Sequence, residues 1–126
     1  MNDQPLWVLY STVIRVRNLE RSREWYETVL DFRVTFVDPH YPLLTLTHAD
    51  GRTITVWQIE DGITPICTHR NGAYLVFMTP DIEAARREMI RRGGQPEATG
   101  NYPGLNMFWL QDPDGHHHAV MQFALE

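Results

Sequence analysis

The sequence predicts an α+β fold of two βαβββ modules whose mixed sheets curve around a groove. Three observations carry that prediction. An Asp-Gly pair between apolar stretches occurs at Asp50-Gly51 and again 64 positions on, at Asp114-Gly115; each reads as the tight turn of a β-hairpin. A passage from strand to helix also occurs twice, its capping residues Asn18 and Asp81 standing 63 positions apart. Finally, 126 residues, 43% apolar and 21% charged, suffice for one domain with a sizeable core.

The elements follow in order. Val13-Ile14-Arg15-Val16 closes a first strand near 8–16. After Asn18, a residue suited to capping free helical N–H groups, Leu19, Ser22, Tyr26 and Val29/Leu30 recur on one helical face. Strands are expected near 32–38, 43–48 and 52–59, the last two flanking Asp50-Gly51. Residues 60–71, with Gly62 and Pro65, read as a linker. The second copy begins with a strand near 72–78 that includes Val76-Phe77-Met78. Its helix follows Asp81, with Ile82, Ala85, Met89 and Ile90 on one face and Gly93-Gly94 as a left-handed stop. Further strands are expected near 95–99, 105–111 and 117–123. Residues 1–126 are thus expected to form one domain, module one about 6–60 and module two about 72–124. The competing architecture is an ordinary α+β sandwich without a pocket.

Composition narrows the function. Sixteen acidic and 11 basic residues leave a net charge of -5, with a pI near 5.6. That argues against general nucleic-acid binding, which needs a basic face to displace counterions. On charge alone, a cationic or neutral ligand is favoured. The longest apolar run, Ala73 to Met78, falls far short of the ~20 residues that span a bilayer, so no membrane partner is expected. Met1 to Pro5 carry no secretory pattern, and Leu125-Glu126 are given no structural weight. The single cysteine, Cys67, cannot form a disulfide within the chain, which suits a cytoplasmic protein.

The run V-x-N-L-E-R-S-R-E-W-Y-E-T-V-L-D-F, within Val13 to Phe36, resembles the first module of the vicinal oxygen chelate superfamily. Asp112-Pro113-Asp114-Gly115-His116 resembles its closing hairpin. This family includes glyoxalase I, extradiol dioxygenases, fosfomycin-resistance enzymes and bleomycin-resistance proteins, and the resemblance covers nearly the whole chain. In metal-dependent members it implies His, Glu or Gln at four inward strand positions. Here those positions fall on Ser11, Thr55, Tyr74 and Ala119. Alanine has no donor atom, neutral hydroxyls are poor ligands, and a phenol ionises only near pH ~10. The expectation is therefore no metal and no cofactor.

If those positions face inward, period-two alternation supplies the rest of a ligand-binding surface. Leu9, Ser11 and Val13 come from the first strand; Thr53, Thr55 and Trp57 come from the fourth. The second module adds Tyr74 and Val76, then His117, Ala119 and Met121, with Met107 and Trp109 joining if their strand has the right parity. Such a lining suits a flat, partly aromatic molecule stacked on Trp57 and Trp109. In the competing reading, these side chains fill a closed core.

The resemblance to bleomycin-resistance proteins implies a small-molecule-sequestering function. A metal-independent lyase or isomerase using His117 or Tyr74 is the alternative, and a metal enzyme with rewired ligands a third. It further implies a two-fold homodimer, with grooves often built from modules of both partners.

Other features read as structural. His116-His117-His118 read as a solvated strand start, with His117 alone on the groove face. His40, His48 and His69 have no nucleophile to serve. Trp25 and Tyr26 are expected against the back of their own sheet. Arg86, Arg87, Arg91 and Arg92 form charge pairs with Glu83 and Glu88 on a solvated face, and Cys67 has no visible activator.

Overall fold

The helix caps and turns form where the local chemistry places them. In the computed structural model, which describes residues 5–60, 73–102 and 105–122, the first module runs β1 (Thr12–Val16), α1 (Leu19–Leu30), β2 (Phe32–Val37), β3 (Leu43–His48) and β4 (Thr53–Gln58). The second runs β5 (Val76–Thr79), α2 (Ile82–Arg91), β6 (Gly100–Tyr102), β7 (Leu105–Gln111) and β8 (His117–Gln122). Most of the expected linker, with Cys67 and His69, and also Leu125-Glu126, lies outside the described residues.

Asn18 accepts a hydrogen bond from the Arg21 N–H at 2.9 Å, and Asp81 accepts one from Ala84 at 3.0 Å. A second cap repeats as well. The Leu19 N–H donates to Gln58 Oε1, and the Ile82 N–H to Gln122 Oε1, both at 2.9 Å. These glutamines end β4 and β8, so each module clamps its helix N-terminus to its own sheet. Gly51 and Gly115 take the left-handed conformation, with φ of 97° and 89°, which their turns require.

Each module folds into a four-stranded mixed sheet, in the orders β1-β4-β3-β2 and β5-β8-β7-β6. The pairs β1–β4 and β5–β8 are parallel and the others antiparallel. One face of each sheet is buried. Ile14, Val16, Leu44, Leu46, Ile54 and Val56 form it in the first, and Phe108, Leu110 and Val120 in the second, all within one core cluster with Tyr26, Val29 and Leu30 of α1. The modules therefore pack through their helix-covered sides. At that contact Gly94 lies so close to Val29 that an added Cβ would stand 2.9 Å from its Cγ1.

Three strand expectations need correction. The first strand begins at Thr12, not near 8, because its parallel partner β4 starts only at Thr53 and leaves Leu6 to Tyr10 without a strand partner among the described residues. The strand expected at 72–78 starts at Val76, because the Leu75 N–H donates to the His118 ring at 3.2 Å instead of to a ladder. The strand expected at 95–99 is displaced to Gly100–Tyr102; Pro96 makes only an isolated bridge to Leu110, and proline brings no N–H to a ladder.

Candidate functional site

With the even-numbered residues of β1 and β4 in the core, their odd-numbered neighbours share the opposite face. Val13 pairs with Thr55 and Arg15 with Trp57. In the second sheet Val76 pairs with Ala119, Met107 with Met121, and Trp109 with Ala119. Since Phe108 and Leu110 lie in the core, Met107 and Trp109 lie on the opposite sheet face, the parity that the expected lining requires.

The two faces differ chemically. Sheet one presents hydroxyls. Ser11 Oγ and Thr55 Oγ1 are hydrogen-bonded at 2.9 Å, Tyr10 donates to Thr45 Oγ1 at 3.2 Å, and Thr35 and Thr47 are bonded at 2.9 Å. At its far end Trp57 meets Tyr41, ring centroids 5.8 Å apart, and the Arg15 guanidinium lies over the indole at 5.2 Å. Sheet two presents rings and sulfur: Tyr74 stands edge-on to Trp109 at 5.1 Å, and Trp109 to His117 at 6.3 Å. His117 Nε2 is also 4.0 Å from Glu97. Of the expected lining, Ala119 and Met107 are fully buried and Thr55 nearly so. Thr53, Trp57, Trp109, His117 and Met121 are half-buried. Val13 (52%) and Val76 (50%) are exposed, and Leu9 (95%) projects from the segment before β1.

Two of the four expected ligand positions fall outside the strands: Ser11, just before β1, is bonded to Thr55 of β4, and Tyr74, two residues before β5, stands against Trp109, whose strand partner is Ala119. Their donors do not suit a transition metal. Two are neutral hydroxyls bonded to each other, one is a phenol packed on an indole, and one is a methyl group.

Carboxylates and imidazoles do gather elsewhere, on the helix-covered side. Asp112, Asp114 and His116 lie within 4.8 Å of one another by their ligand atoms. These groups are already engaged. Asp112 Oδ2 accepts from the Tyr26 hydroxyl at 2.7 Å and lies 2.7 Å from His116 Nδ1, while its Oδ1 accepts the N–H groups of Asp114 and His116. Asp114 accepts from the Arg17 main chain, Arg21 and Ser22, joining the modules. His118 completes the cluster with Nε2 2.8 Å from the Tyr26 oxygen. Its Nδ1 accepts from Leu75, so the ring proton sits on Nε2.

Burial alone would raise the Asp112 carboxyl, but the His116 hydrogen bond, the adjacent His118 and the Tyr26 hydroxyl outweigh it and hold Asp112 well below the usual carboxylate range. Burial, reinforced by the Asp112 charge, pushes the Tyr26 phenol well above its ordinary value, so it remains a donor.

This cluster overturns two expectations. His116 and His118 are buried, not a solvated strand start, because β8 turns its even-numbered residues into the shared core. Tyr26 does not stop at its own sheet: it reaches the other module. The basic cluster on α2 is partly as expected, with Glu88 paired to Arg91 and Arg92, but Arg92 also crosses to Asp31 at 2.8 Å. Sequence reasoning also left out Arg15, Tyr10 and Thr45 from the groove face. Alternation from Val13 was enough to find Arg15.

Comparisons with known proteins agree with this architecture. Residues 8–120 match the family model described as Glyoxalase/Bleomycin resistance protein/Dioxygenase superfamily. The fold is similar to a glyoxylase/bleomycin resistance protein/dioxygenase domain from Frankia sp. EAN1pec, with TM-score 0.73, 18% identity, and coverage of 94% of this chain and 98% of that one. It is similar to an integron cassette protein from the mobile metagenome of Halifax Harbour sewage outfall (TM-score 0.73, 16% identity, 92% and 98% covered). The fosfomycin resistance protein FosX from Mesorhizobium loti also shares the fold (TM-score 0.66, 17% identity, 97% and 96% covered). No curated protein matches the chain.

Proposed function

The chain belongs to the Glyoxalase/Bleomycin resistance protein/Dioxygenase superfamily, and we propose that within it this protein binds a small, partly aromatic organic molecule without a metal. The observation that carries the reading is the donor set at the four expected ligand positions: Ser11 and Thr55 bonded to each other, Tyr74 packed on Trp109, and Ala119 with no donor. Small side chains there make room rather than coordination. A hydroxyl-rich wall facing an aromatic and sulfur-rich wall suits a ligand with one polar edge and one ring face.

The groove in this reading is completed by a second copy. The modules of one chain already use their helix-covered sides to pack on each other. Their outer strands β1 and β5 carry exposed apolar groups, among them Val13, Val76 and Met78, and the preceding Leu6 to Tyr10 are exposed too. Apolar sheet edges of this kind favour pairing. Antibiotic resistance is a function named for the similar FosX, and sequestration of such a compound is the form proposed here. Among the described residues no helix is long and apolar enough to cross a membrane, and the lone Cys67 suits a cytoplasmic setting.

A thermal-shift screen of aromatic antibiotics and metabolites, read with tryptophan fluorescence, tests the proposal. The expected result is a stabilising ligand that is recovered unchanged and quenches emission in the parent but not in Trp57→Ala. A stoichiometric transition metal in the groove overturns it. Sedimentation at micromolar concentration is expected to give a dimer; a monomer removes the shared groove.

One observation favours a second reading, a metal-independent lyase or isomerase: His117 lies on the groove face 4.0 Å from Glu97, a pairing suited to acid–base work. Ligand turnover abolished in His117→Ala but retained in Met121→Ala would favour it.

A further inference from the structure

We infer that the groove recognises an organic anion, an aromatic carboxylate or sulfonate, and that Arg15 is its specificity-determining cation. The inference rests on the groove being the ligand site, as proposed above. Although the chain carries a net charge of -5, none of the eight strands among the described residues contains an Asp or Glu. The described acidic residues lie outside the strands, Glu97 beside His117 included, so the field beside Arg15 is not the field of the whole molecule.

On that face Arg15 is held in place. Its Nε donates to the Trp57 carbonyl at 3.2 Å and its Nη2 to the Gln58 carbonyl at 3.4 Å. The guanidinium lies over the Trp57 ring, 5.2 Å from its centroid. Arg17, Arg21, Arg23, Arg52, Arg91 and Arg92 all pair with carboxylates; Arg15 has no such partner among the described residues. Among the described residues its Nη1 has no hydrogen-bond partner, which leaves it to meet a ligand. A planar cation fixed beside an indole fits an anionic group attached to a ring, which can receive charge-assisted hydrogen bonds while the ring stacks. Arg33 also lies on this face, paired with Thr47, but on β2 at the opposite edge of the sheet, away from Trp57.

The test uses two dyes with the same ring system, anionic 1-anilinonaphthalene-8-sulfonate and neutral N-phenyl-1-naphthylamine, titrated by fluorescence. The parent is expected to bind both, the sulfonate more tightly. Arg15→Gln should weaken the sulfonate about tenfold and leave the neutral dye within about twofold, the scale of one lost charge-assisted contact. Arg15→Lys should restore part of the difference. Arg33→Gln removes the same charge and should change neither dye, with far-UV circular dichroism unaltered in every variant. If Arg15→Gln weakens both dyes alike or neither, the anion assignment is overturned while the groove reading stands. If the parent binds neither dye, or Trp57→Ala affects neither, the groove reading falls and this inference with it.

Discussion

The hydroxyl of Tyr26, in the first helix, donates to the carboxylate of Asp112, before the last turn of the chain, across 2.7 Å. The two residues are 86 positions apart. Between them runs a directional chain of donors. The Leu75 N–H donates to His118 Nδ1, His118 Nε2 donates to the Tyr26 oxygen, and Tyr26 donates to Asp112. Every buried polar atom in that chain has a partner, and the partners come from both modules. A polar network so placed holds the module junction in one arrangement, because any slip would strand a buried charge.

Tyr26→Phe keeps the ring in the core but leaves Asp112 and His118 without their shared partner. A loss of about 1–3 kcal/mol is expected, read as a lower urea midpoint with an unchanged slope. A change below about 0.5 kcal/mol would show that the hydroxyl contributes nothing beyond its ring.

Acid should act through Asp112. Its folded pKa is depressed, so its contribution is present above the unfolded value of about 4 and is lost as pH falls below that toward the folded value. Over that acidic range one additional proton is taken up on unfolding, a slope of about 1.4 kcal/mol per pH unit. Asp112→Asn removes this proton, so its stability should fall less steeply below pH ~4 than the parent's. Equal slopes in denaturation series at several pH values would sink the assignment.

Neighbouring glycines should fail for different reasons. At Gly94 an added Cβ would sit 2.9 Å from Val29 Cγ1 and 3.0 Å from the Met89 carbonyl, and the main chain cannot move cheaply. Gly94→Ala is expected to cost about 1–3 kcal/mol by overpacking. Gly93 has open space around it but a φ of 96°, so Gly93→Ala should cost about 1–2 kcal/mol from backbone strain. Adding Val29→Ala should relieve part of the first cost, since the Met89 carbonyl contact remains, and none of the second, which a double-mutant cycle measures.

Asp114 ties the loop after β1 and the start of α1 to the closing turn, with Arg21 at 3.1 Å and Arg17 at 3.5 Å. Asp114→Ala should lower stability by about 1–3 kcal/mol and expose the Arg17 amide, whose N–H donates to Asp114 Oδ1. Hydrogen exchange should then quicken at Arg17 while the interior of α1 keeps its protection. Unchanged exchange at Arg17 would contradict this clasp.

Much of the fold is legible along the chain because its signals are local. Asn18 and Asp81 cap helices within three residues of themselves, and Gly51 and Gly115 turn the chain in place. Alternation assigns Thr55, Trp57, His117 and Ala119 to the sheet faces turned away from the core because strand geometry needs no distant information. Even the second cap is visible in retrospect, as Gln58 and Gln122 occupy equivalent positions after the repeated turns. The strand limits are less legible. Whether residue 8 or residue 12 begins β1 depends on where β4 starts, and that is a property of the partner.

The amino-acid order by itself determined the two modules, their caps and their turns, since each depends on residue type and short-range geometry. The tertiary structure alone decided that the modules meet through their helix-covered sides. It also decided that His116 and His118 are buried with Tyr26, and that Arg15 lies over Trp57 with no carboxylate partner among the described residues. Those facts arise from contacts between residues tens of positions apart, and no periodicity along the chain encodes which of two sheet faces a distant helix will cover.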